Sequence, residues 1–384
     1  MYNKRNITVL LSLFAILPVS AQLDGDGFYR VQNTNTERYV SIIDDESYTI
    51  LATTDPDLSA LVTRKGFDNI VGDPSTVFYI EYIGTRSSDN NKYYDMEGQG
   101  TGIYAISKHY LYIKSFTSDD ETYYRAWAEE YGNAFYVSDE KGDYDPGYIG
   151  TNNDYKNWYI WPVTSDNDDC YFGIVPTVEA NGKYYATLYC GFPMKAASDG
   201  VKFYYVEGTW GDECYYNELT TVPAKTPVIV ECSSEDPSDN RVDMLTGSYS
   251  SISDNILGGV MFNADIMHHE DNYTAYDENS MRVLGTLSDG SIGFIKATVG
   301  DDIDDDGHLF ANSAYLDISS SSNAADEIKM LLVTAGINEV SVDDETTPSD
   351  IYTLSGTKVR SNSTSTEGLN PGIYIINKKK VIVK

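Results

Sequence analysis

The sequence predicts an all-β protein, and three observations support this fold class. The chain of 384 residues contains 33 tyrosines and is dense in Thr, Val and Ile, which are residue types that favour strands. Turn-forming clusters of Gly, Asn and Asp recur about every ten residues. No segment shows a convincing amphipathic helix, and the best candidate, Asn323–Thr334, could equally be a strand. At ~100–200 residues per domain, the length predicts two domains and a small extra unit.

The first 21 residues have the composition of a secretory signal peptide. Lys4 and Arg5 precede an apolar segment, Ile7–Leu17, and small residues follow up to Ala21. The pattern predicts cleavage near Ala21-Gln22 and a mature protein that is secreted or held at the cell surface; an uncleaved N-terminal anchor is the alternative. The apolar segment is shorter than the ~20 residues of a membrane span, and no later segment approaches that length, so we expect no transmembrane segment.

The mature chain is strongly acidic. Its formal charge is −32, and removal of Lys4 and Arg5 with the leader lowers that value to −34. Such a charge repels phosphate backbones and anionic lipid surfaces, so nucleic acid and membranes are not expected partners. A solvated extracellular surface explains the excess of carboxylates.

Internal similarity marks the first domain, residues 22–165. The segment Gly27–Ser41 (GFYRVQNTNTERYVS) is similar to Tyr123–Ser138 (YYRAWAEEYGNAFYVS), and each predicts a hairpin with matched arms. Ser75–Ile83 and Asn157–Val163 read as closing strands, which gives units of roughly 40–55 residues.

These hairpins carry a resemblance to a known family. The opening Gly-x-Tyr-x-Val at Gly27, together with Tyr39-Val40 and Trp158-x-Ile160, resembles a β-trefoil of the ricin-type lectin family. The resemblance spans residues 25–164 and implies three hairpin-bearing units around a closed barrel.

A trefoil of this family implies a carbohydrate pocket. On that resemblance, the candidate ligand-binding residues are Trp127, Trp158, Trp161, Tyr39 and Tyr136. Sugar-binding members carry Gln-x-Trp in each active unit, whereas the corresponding place here reads Asn157-Trp158. Packing in the core or at its rim is the alternative for Trp158 and Trp161, because large aromatic side chains commonly fill cores.

Residues 166–334 form a second module, for which we expect a β-sandwich. Strand segments such as Tyr184–Val206 alternate with turn-rich loops. Pro223–Ile229 and Phe310–Leu316 share one pattern, in which Ala, a polar residue and a hydroxyl residue precede an apolar strand. The pattern predicts that two strands of the module begin in the same way. The module resembles an accessory unit of secreted bacterial surface proteins, and this resemblance implies no activity.

All four cysteines, Cys170, Cys190, Cys214 and Cys232, lie in this module. Four cysteines permit three disulfide pairings, among which the sequence does not choose. Cys190 and Cys232 each end a predicted strand, so a cross-strand bond between them is geometrically possible if their Cα atoms come within ~7 Å. No cysteine shares a recognisable motif with a histidine, so disulfides or inert core thiols are expected instead of a nucleophile.

One acidic loop has part of a metal-binding pattern. Asp302, Asp304 and Asp306 alternate ahead of Gly307, as in the first half of a calcium loop. The twelfth position is Ser313, where such a loop requires a bidentate Glu. An acidic hairpin tip is therefore the expectation, calcium is the weaker alternative, and no other cofactor is predicted.

The last residues predict a hairpin with a basic tip. Ile373–Ile376 and the segment from Val381 onward flank the tip Asn377–Lys380. Residues 351–384 hold six Lys or Arg against one acid, a net charge of +5, so the rest of the mature chain carries −39.

This hairpin belongs to a C-terminal unit, residues 335–384, that resembles a known sorting domain. The paired motifs IYTLSG, from Ile351, and PGIYIIN, from Pro371, are similar to those of proteins exported by the type IX secretion route. The resemblance implies that the outer-membrane secretion machinery is a partner. Members of that family often have Asn-Gly at the hairpin tip, where Asn377-Lys378 stands here.

The expected function is extracellular binding without catalysis. The chain has no Gly-x-Ser-x-Gly elbow, no His-Glu-x-x-His pair and no phosphate-binding glycine loop. We therefore expect a surface or secreted protein that binds a glycan or another extracellular partner. The alternatives are a polysaccharide hydrolase, whose two carboxylates leave no spacing signature, and a purely structural adhesin or surface component.

Overall fold

The protein is all-β in its described parts. The computed structural model describes residues 23, 25–45, 49–54, 70–85, 87–88, 90–99, 101–102, 111–118, 121–130, 133–136, 138–140, 147–150, 155–261, 274–319, 325–332, 349–353, 356–363, 365–366, 368–369, 372–376 and 379–383. The predicted leader, residues 1–21, lies outside these ranges. Every described element is a β-strand or a short 3₁₀ turn, the turns being Ile70–Gly72, Pro74–Thr76 and Pro237–Asp239.

The first region contains twelve strands among its described residues. They are β1 (Gly27–Asn33), β2 (Tyr39–Asp45), β3 (Thr49–Thr54), β4 (Phe78–Thr85), β5 (Lys92–Gly98), β6 (Thr101–Gly102), β7 (Leu111–Ser118), β8 (Glu121–Glu130), β9 (Asn133–Tyr136), β10 (Ser138–Glu140), β11 (Gly147–Gly150) and β12 (Trp158–Pro162). Six of them pair in the cyclic order β1-β4-β5-β7-β8-β12, and each neighbouring pair is antiparallel. We call this closed arrangement the six-stranded ring.

Successive side chains of a strand point to opposite faces, so each ring strand has one set of side chains inside the ring and one set outside it. Tyr29 and Val31 of β1 point into the ring, where they join Trp158 and Ile160 of β12 in one hydrophobic core. The intervening residues of β1 therefore lie on the outer surface of the ring, and they are Phe28, Arg30 and Gln32.

Both hairpins predicted from internal similarity are present. β1 continues into β2, where Gln32 faces Tyr39, and β8 continues into β9, where Trp127 faces Tyr136. The two predicted closing strands are β4 and β12, and both of them pair with β1. β2, β3, β11 and β10 pair in that order, so a sheet also extends outward from β1.

The second region also contains twelve strands among its described residues. They are β13 (Val178–Ala180), β14 (Lys183–Leu188), β15 (Met194–Ala196), β16 (Lys202–Trp210), β17 (Glu213–Leu219), β18 (Val228–Cys232), β19 (Val242–Met244), β20 (Leu257–Gly259), β21 (Met281–Thr286), β22 (Ile292–Ile295), β23 (Ala314–Asp317) and β24 (Ile328–Leu332). The ambiguous segment Asn323–Thr334 thus contains a strand, β24.

Ten of these strands form a single sheet that folds over on itself. The order is β13-β14-β18-β16-β17-β24-β22-β21-β23-β20, and β15 pairs only with β19. Tyr204 and Ile229 from the first half share a hydrophobic core with Leu284 and Phe294 from the second half, so the two halves face each other. The hydroxyl of Thr286 on β21 donates to the carbonyl of Glu179 on β13 at 2.8 Å, which joins the halves again.

Strand β18 is covered on both faces. Ile229 points into the core between the two halves, whereas Val228 and Val230 point into a second core. That second core also contains Val77 and Val163, which belong to the first region. The two regions therefore pack directly against each other, and the continuous apolar run of β18 is typical of a strand buried on both sides.

The strand start that the sequence predicts twice has one backbone shape in both places. Lys225 and Asn312 hold equivalent positions and have φ angles of 55° and 54°. The Lys225 N–H donates to the Cys190 carbonyl at 2.9 Å, and the Tyr189 N–H donates to the Asn312 carbonyl at 3.0 Å. The two strand starts therefore hydrogen-bond to adjacent residues of one short segment, Tyr189–Gly191.

Gln99, just after β5, connects the first region to this segment. Its side chain is buried, and its Oε1 accepts from the Gly191 N–H at 3.2 Å and from the Asn312 Nδ2 at 3.1 Å. A Cβ atom on Gly191 would lie 1.8 Å from the Gln99 carbonyl oxygen. Only glycine fits there without a backbone shift.

The C-terminal unit is a separate four-stranded sheet. Its strands are β25 (Ser349–Thr353), β26 (Lys358–Ser363), β27 (Gly372–Ile376) and β28 (Lys379–Val383), in the order β26-β25-β27-β28. The predicted hairpin is present, but Ile376 faces Lys379, so only two residues separate the strands. The expectation of a four-residue tip, Asn377–Lys380, was wrong, because Lys379 and Lys380 belong to β28.

Candidate functional site

The structure separates the five predicted ligand-binding residues. Trp158 is only 2% exposed and lies in the core of the ring, so its ring cannot stack on a ligand at the surface. Its expected role as a ligand contact is corrected to core packing, and Trp158→Ala should cost about 3–5 kcal/mol of stability. Trp127 and Tyr136 face each other across β8 and β9, but their side chains lie outside the described part of the chain.

Tyr39 lies at the junction of the two regions. Burial raises the pKa of its phenol to about 12, and Cys170 and Arg30 are close enough to act on its charge. Arg30 is 1% exposed, and its guanidinium donates to the Tyr171 carbonyl at 2.6 Å. It also donates to the Ile70 carbonyl at 2.8 Å. Arg30 therefore joins the outside of the ring to the start of the second region, and no ligand can reach this part of the outer surface.

Trp161 is the predicted residue that stays partly exposed on the outer surface of the ring, at the edge of the core shared by the two regions. Its side chain is half-buried, and its Nε1 donates to the Gln32 Oε1 at 3.0 Å. The ring of Tyr159 lies 5.4 Å from that of Trp161 at an angle of 49°. The Tyr159 hydroxyl donates to the Glu121 Oε2 at 2.8 Å, and this hydrogen bond raises the pKa of the phenol. An aromatic pair is thus held by polar groups at both of its edges.

A second aromatic pair lies on β7 and β8. Phe116 faces Tyr123, and their rings stack at 5.7 Å with an angle of 15°. The guanidinium carbon of Arg125 lies 4.6 Å from the centre of the Phe116 ring and 5.6 Å from that of Tyr123. Its Nε donates to the Asn157 Oδ1 at 2.8 Å, so the side chain is fixed in one direction.

The strand register brings the two pairs together. Trp158 faces Tyr124 across β12 and β8. One residue along this antiparallel pair, Tyr159 comes beside Tyr123, and cross-strand neighbours on one face are ~4.5–5.5 Å apart at Cβ. We call the combined surface the outer aromatic face, and it consists of Gln32, Phe116, Glu121, Tyr123, Arg125, Tyr159 and Trp161.

The outer aromatic face has the chemistry of a binding surface. Rings that are partly exposed offer flat apolar area, and the amide, carboxylate and guanidinium groups around them can fix the orientation of a polar ligand. Of its seven members, only Trp161 was predicted from the sequence. The spacing of Tyr159 two residues before Trp161, which places both on one face of a strand, was the available signal in the sequence.

The four cysteines are free and buried thiols. In the pairing of β14 with β18, Tyr184 faces Cys232 and Leu188 faces Val228. Cys190 therefore lies beyond the opposite end of the strand pair, more than about 13 Å along the strand from Cys232 at ~3.3 Å per residue. The distance condition for a bond between Cys190 and Cys232 is therefore not met, because a disulfide requires Cα atoms within ~7 Å.

Burial also keeps the thiols protonated. It raises the pKa of Cys190 and of Cys232 to about 12, and it raises the pKa values of Cys170 and Cys214 above their ordinary range. A thiolate is the reactive form of cysteine, so these four residues act as core side chains.

The acidic loop uses its aspartates to hold a turn. The Asp304 Oδ1 accepts from the N–H groups of Asp306 at 3.0 Å and His308 at 2.7 Å. The Asp302 Oδ2 accepts from the Thr298 N–H at 3.0 Å. Within the described ranges, no group of three or more His, Cys, Asp or Glu side chains is placed to hold a metal ion.

A cavity of about 290 Å³ lies in the second region, beside β13 and β21. Three carboxylates line it, from Glu179, Asp301 and Asp302, and its described lining contains no Lys, Arg or His. Its hydroxyl groups come from Thr177, Thr187, Thr286, Thr298 and Ser313.

Comparison of the chain with protein-family models, curated proteins and solved structures finds no match in any of the three. In the described ranges, no helix has the length and apolar character needed to cross a bilayer.

Proposed function

We propose that this chain is an exported protein that binds an extracellular glycan without catalysis, through the outer aromatic face. One observation carries the proposal: two aromatic pairs, Phe116 with Tyr123 and Tyr159 with Trp161, lie side by side and half-buried on the same outward surface. Sugar rings have apolar faces and hydroxyl edges, so aromatic rings bordered by polar groups suit them.

The strand order supports a trefoil for the first region. In a β-trefoil, three units each contribute two strands to a closed ring and carry further strands between them. The ring here has six strands, with β2 and β3 inserted between β1 and β4, and β9, β10 and β11 inserted between β8 and β12. We propose a ricin-type trefoil for this region and a sandwich-like module for the second.

The binding function is tested with a glycan array. The mature protein should bind. Trp161→Ala should lower the affinity about tenfold or more, since stacking of a ligand on one aromatic ring is worth ~1–3 kcal/mol. Tyr249→Ala is the matched control, because Tyr249 is 42% exposed and lies in the second region.

Near-ultraviolet circular dichroism should show that both variants remain folded. Equal loss of binding in both variants, or no loss in Trp161→Ala, would contradict the assignment of the face.

Export is the second part of the proposal. The leader and the C-terminal unit, through the outer-membrane secretion machinery, direct the protein to the cell surface or medium. The four strands of the unit pair only with one another, which supports a separable role. Deletion of residues 337–384 should leave a folded protein in the periplasm, as fractionation and immunoblotting would show; unchanged surface display would argue against it.

The cavity favours a second candidate, a polysaccharide hydrolase. A glycosidase needs two carboxylates that face a cleft, ~5–10 Å apart, and Glu179, Asp301 and Asp302 line one. A screen of polysaccharides for reducing ends tests this function. Turnover that Glu179→Gln or Asp302→Asn abolishes would support the hydrolase; no turnover and no binding would favour a structural surface component.

A further inference from the structure

Arg125 is a cation without a carboxylate partner in a chain rich in carboxylates. The chain has 59 Asp or Glu against 27 Lys or Arg. Arg125 nevertheless hydrogen-bonds to the neutral Asn157 amide and rests on two neutral rings. Among the described residues, no acid forms an ion pair with it.

Its guanidinium is held with free donors. The bond from Nε to Asn157 fixes one edge of the plane, and the ring of Phe116 supports its face at 4.6 Å. Among the described residues, the two terminal nitrogens have no acceptor and can donate to a ligand. A fixed guanidinium fork matches the two oxygens of a carboxylate, or of a sulfate, in a bidentate contact.

A second cation lies directly opposite. Lys114 faces Arg125 across β7 and β8, and its side chain is exposed. Like charges placed opposite each other destabilise a strand pair. The pair places two positive charges on the outer surface of the strands, where an anionic ligand would complement them.

We propose that the outer aromatic face takes an acidic glycan, and that Arg125 binds the carboxylate or sulfate of one sugar while the neighbouring rings stack on the chain. This inference rests on the proposed glycan-binding function and names the class of glycan. Arg125 supplies the charge, and Tyr159 and Trp161 supply the flat surface beside it.

The acidity of the whole chain does not prevent this contact. A net charge of −34 repels a polyanion at a distance, but in 0.15 M salt the repulsion is screened over about 8 Å. The contact with Arg125 forms within that distance, and Lys114 places a second positive charge opposite it, whereas Glu121 lies at the far end of the face.

The experiment compares three immobilised polymers by biolayer interferometry in 0.15 M NaCl. Polygalacturonate carries carboxylates, dextran sulfate carries sulfates, and dextran is neutral, so the arms distinguish the two anions. The mature protein should bind at least one acidic polymer about tenfold more tightly than dextran. Arg125→Gln should reduce that affinity about 10- to 100-fold, the value of a hydrogen bond to a charged group.

Two further variants separate charge from geometry. Arg125→Lys keeps the charge but loses the fork, so it should restore only part of the affinity. Lys202→Gln removes one exposed positive charge from β16 in the second region and should change nothing. Thermal melts of all variants confirm that each is folded.

The outcomes separate this inference from the function on which it rests. Binding to dextran alone, or equal binding of the acidic polymers by Arg125→Gln and the unmodified protein, would overturn the acidic-glycan inference and leave glycan binding in place. A loss of the same size in Lys202→Gln would show a general charge effect and would also overturn it. Failure to bind any of the polymers, together with a silent glycan array, would overturn both.

Discussion

Two arginines on the outer surface of the same ring have opposite environments. Arg30 on β1 is 1% exposed and donates to the Thr76 hydroxyl and to backbone carbonyls of both regions. Arg125 on β8 is half-buried and keeps its terminal nitrogens free. Among the described residues, groups from both regions hold Arg30, whereas groups of the first region alone hold Arg125. We call these the covered side and the open side of the ring.

The comparison shows that the outward set of side chains serves two purposes. At β1 it forms an interface, in which the ring of Phe28 packs at a tilt against that of Phe192, with centroids 5.7 Å apart, and Arg30 satisfies carbonyls that would otherwise be buried without partners. At β8 and β12 the same alternation leaves aromatic rings beside solvent. Substitutions should therefore affect stability on the covered side and binding on the open side.

The largest effect is expected from Arg30→Gln. The shorter amide cannot reach all of its acceptors, so several buried carbonyls lose their donor, and the free energy of unfolding should fall by about 3–5 kcal/mol. Arg125→Gln is the matched change on the open side and should cost about 1 kcal/mol or less. Urea unfolding followed by tyrosine and tryptophan fluorescence measures both, and equal losses would show that the two sides do not differ.

Gly191→Ala should have the next largest effect. Its Cβ would lie 1.8 Å from the Gln99 carbonyl oxygen, so the backbone at the junction must move, at a cost of about 1–3 kcal/mol. Gly27→Ala is the control, because a Cβ there meets its nearest atom, in the Tyr29 ring, at an ordinary 3.5 Å. A melting temperature that is unchanged in Gly191→Ala would contradict the close approach of the two regions.

Alkaline pH should weaken the covered side. Burial raises the pKa of Tyr39 from 10.0 to about 12 and that of Cys190 from 9.0 to about 12. The unfolded chain therefore releases these protons first as pH rises. The stability that they contribute is complete below about pH 9 and is lost between about pH 9 and 12.

Urea unfolding at several values between pH 8 and 11 measures this loss. In Tyr39→Phe, the free energy of unfolding should depend less steeply on pH, with up to one proton fewer released on unfolding. A dependence on pH that stays unchanged in Tyr39→Phe would place that phenol in solvent.

Tyr159→Phe should have the smallest effect on stability. It removes only the hydrogen bond to Glu121, on the open side, so the free energy of unfolding should change by about 0.5 kcal/mol or less. Glycan affinity should fall only slightly, because the ring remains. A loss of more than about 2 kcal/mol in unfolding would show that this face is part of the core.

Local patterns in the sequence predicted much of the fold. Alternation, turn residues and the repeated strand start are features of neighbouring residues, and strands were found at both predicted hairpins and at β18 and β23. The outer aromatic face depends on strands that are far apart in the chain. Phe116 and Trp161 come together only through the register of β7, β8 and β12, which a single sequence does not specify.

The same limit explains two further results. Trp158 and Trp161 have the same chemical character, and only the ring shows that Trp158 points inward. Cys190 and Cys232 both end strands, but the antiparallel register places them at opposite ends. In both cases the direction or the pairing of a strand decides the outcome.

The shared core also has a consequence for how the protein is made. Val77 and Val163 are synthesised well before Val228 and Val230, which cover them in the finished protein. A chain that emerges from its N-terminus can close the ring early, but the outer side of that ring stays apolar and uncovered until β18 has followed. Throughout that interval the nascent protein exposes this apolar surface, so we expect its tendency to aggregate to be greatest between about the 165th and the 232nd residue of its synthesis.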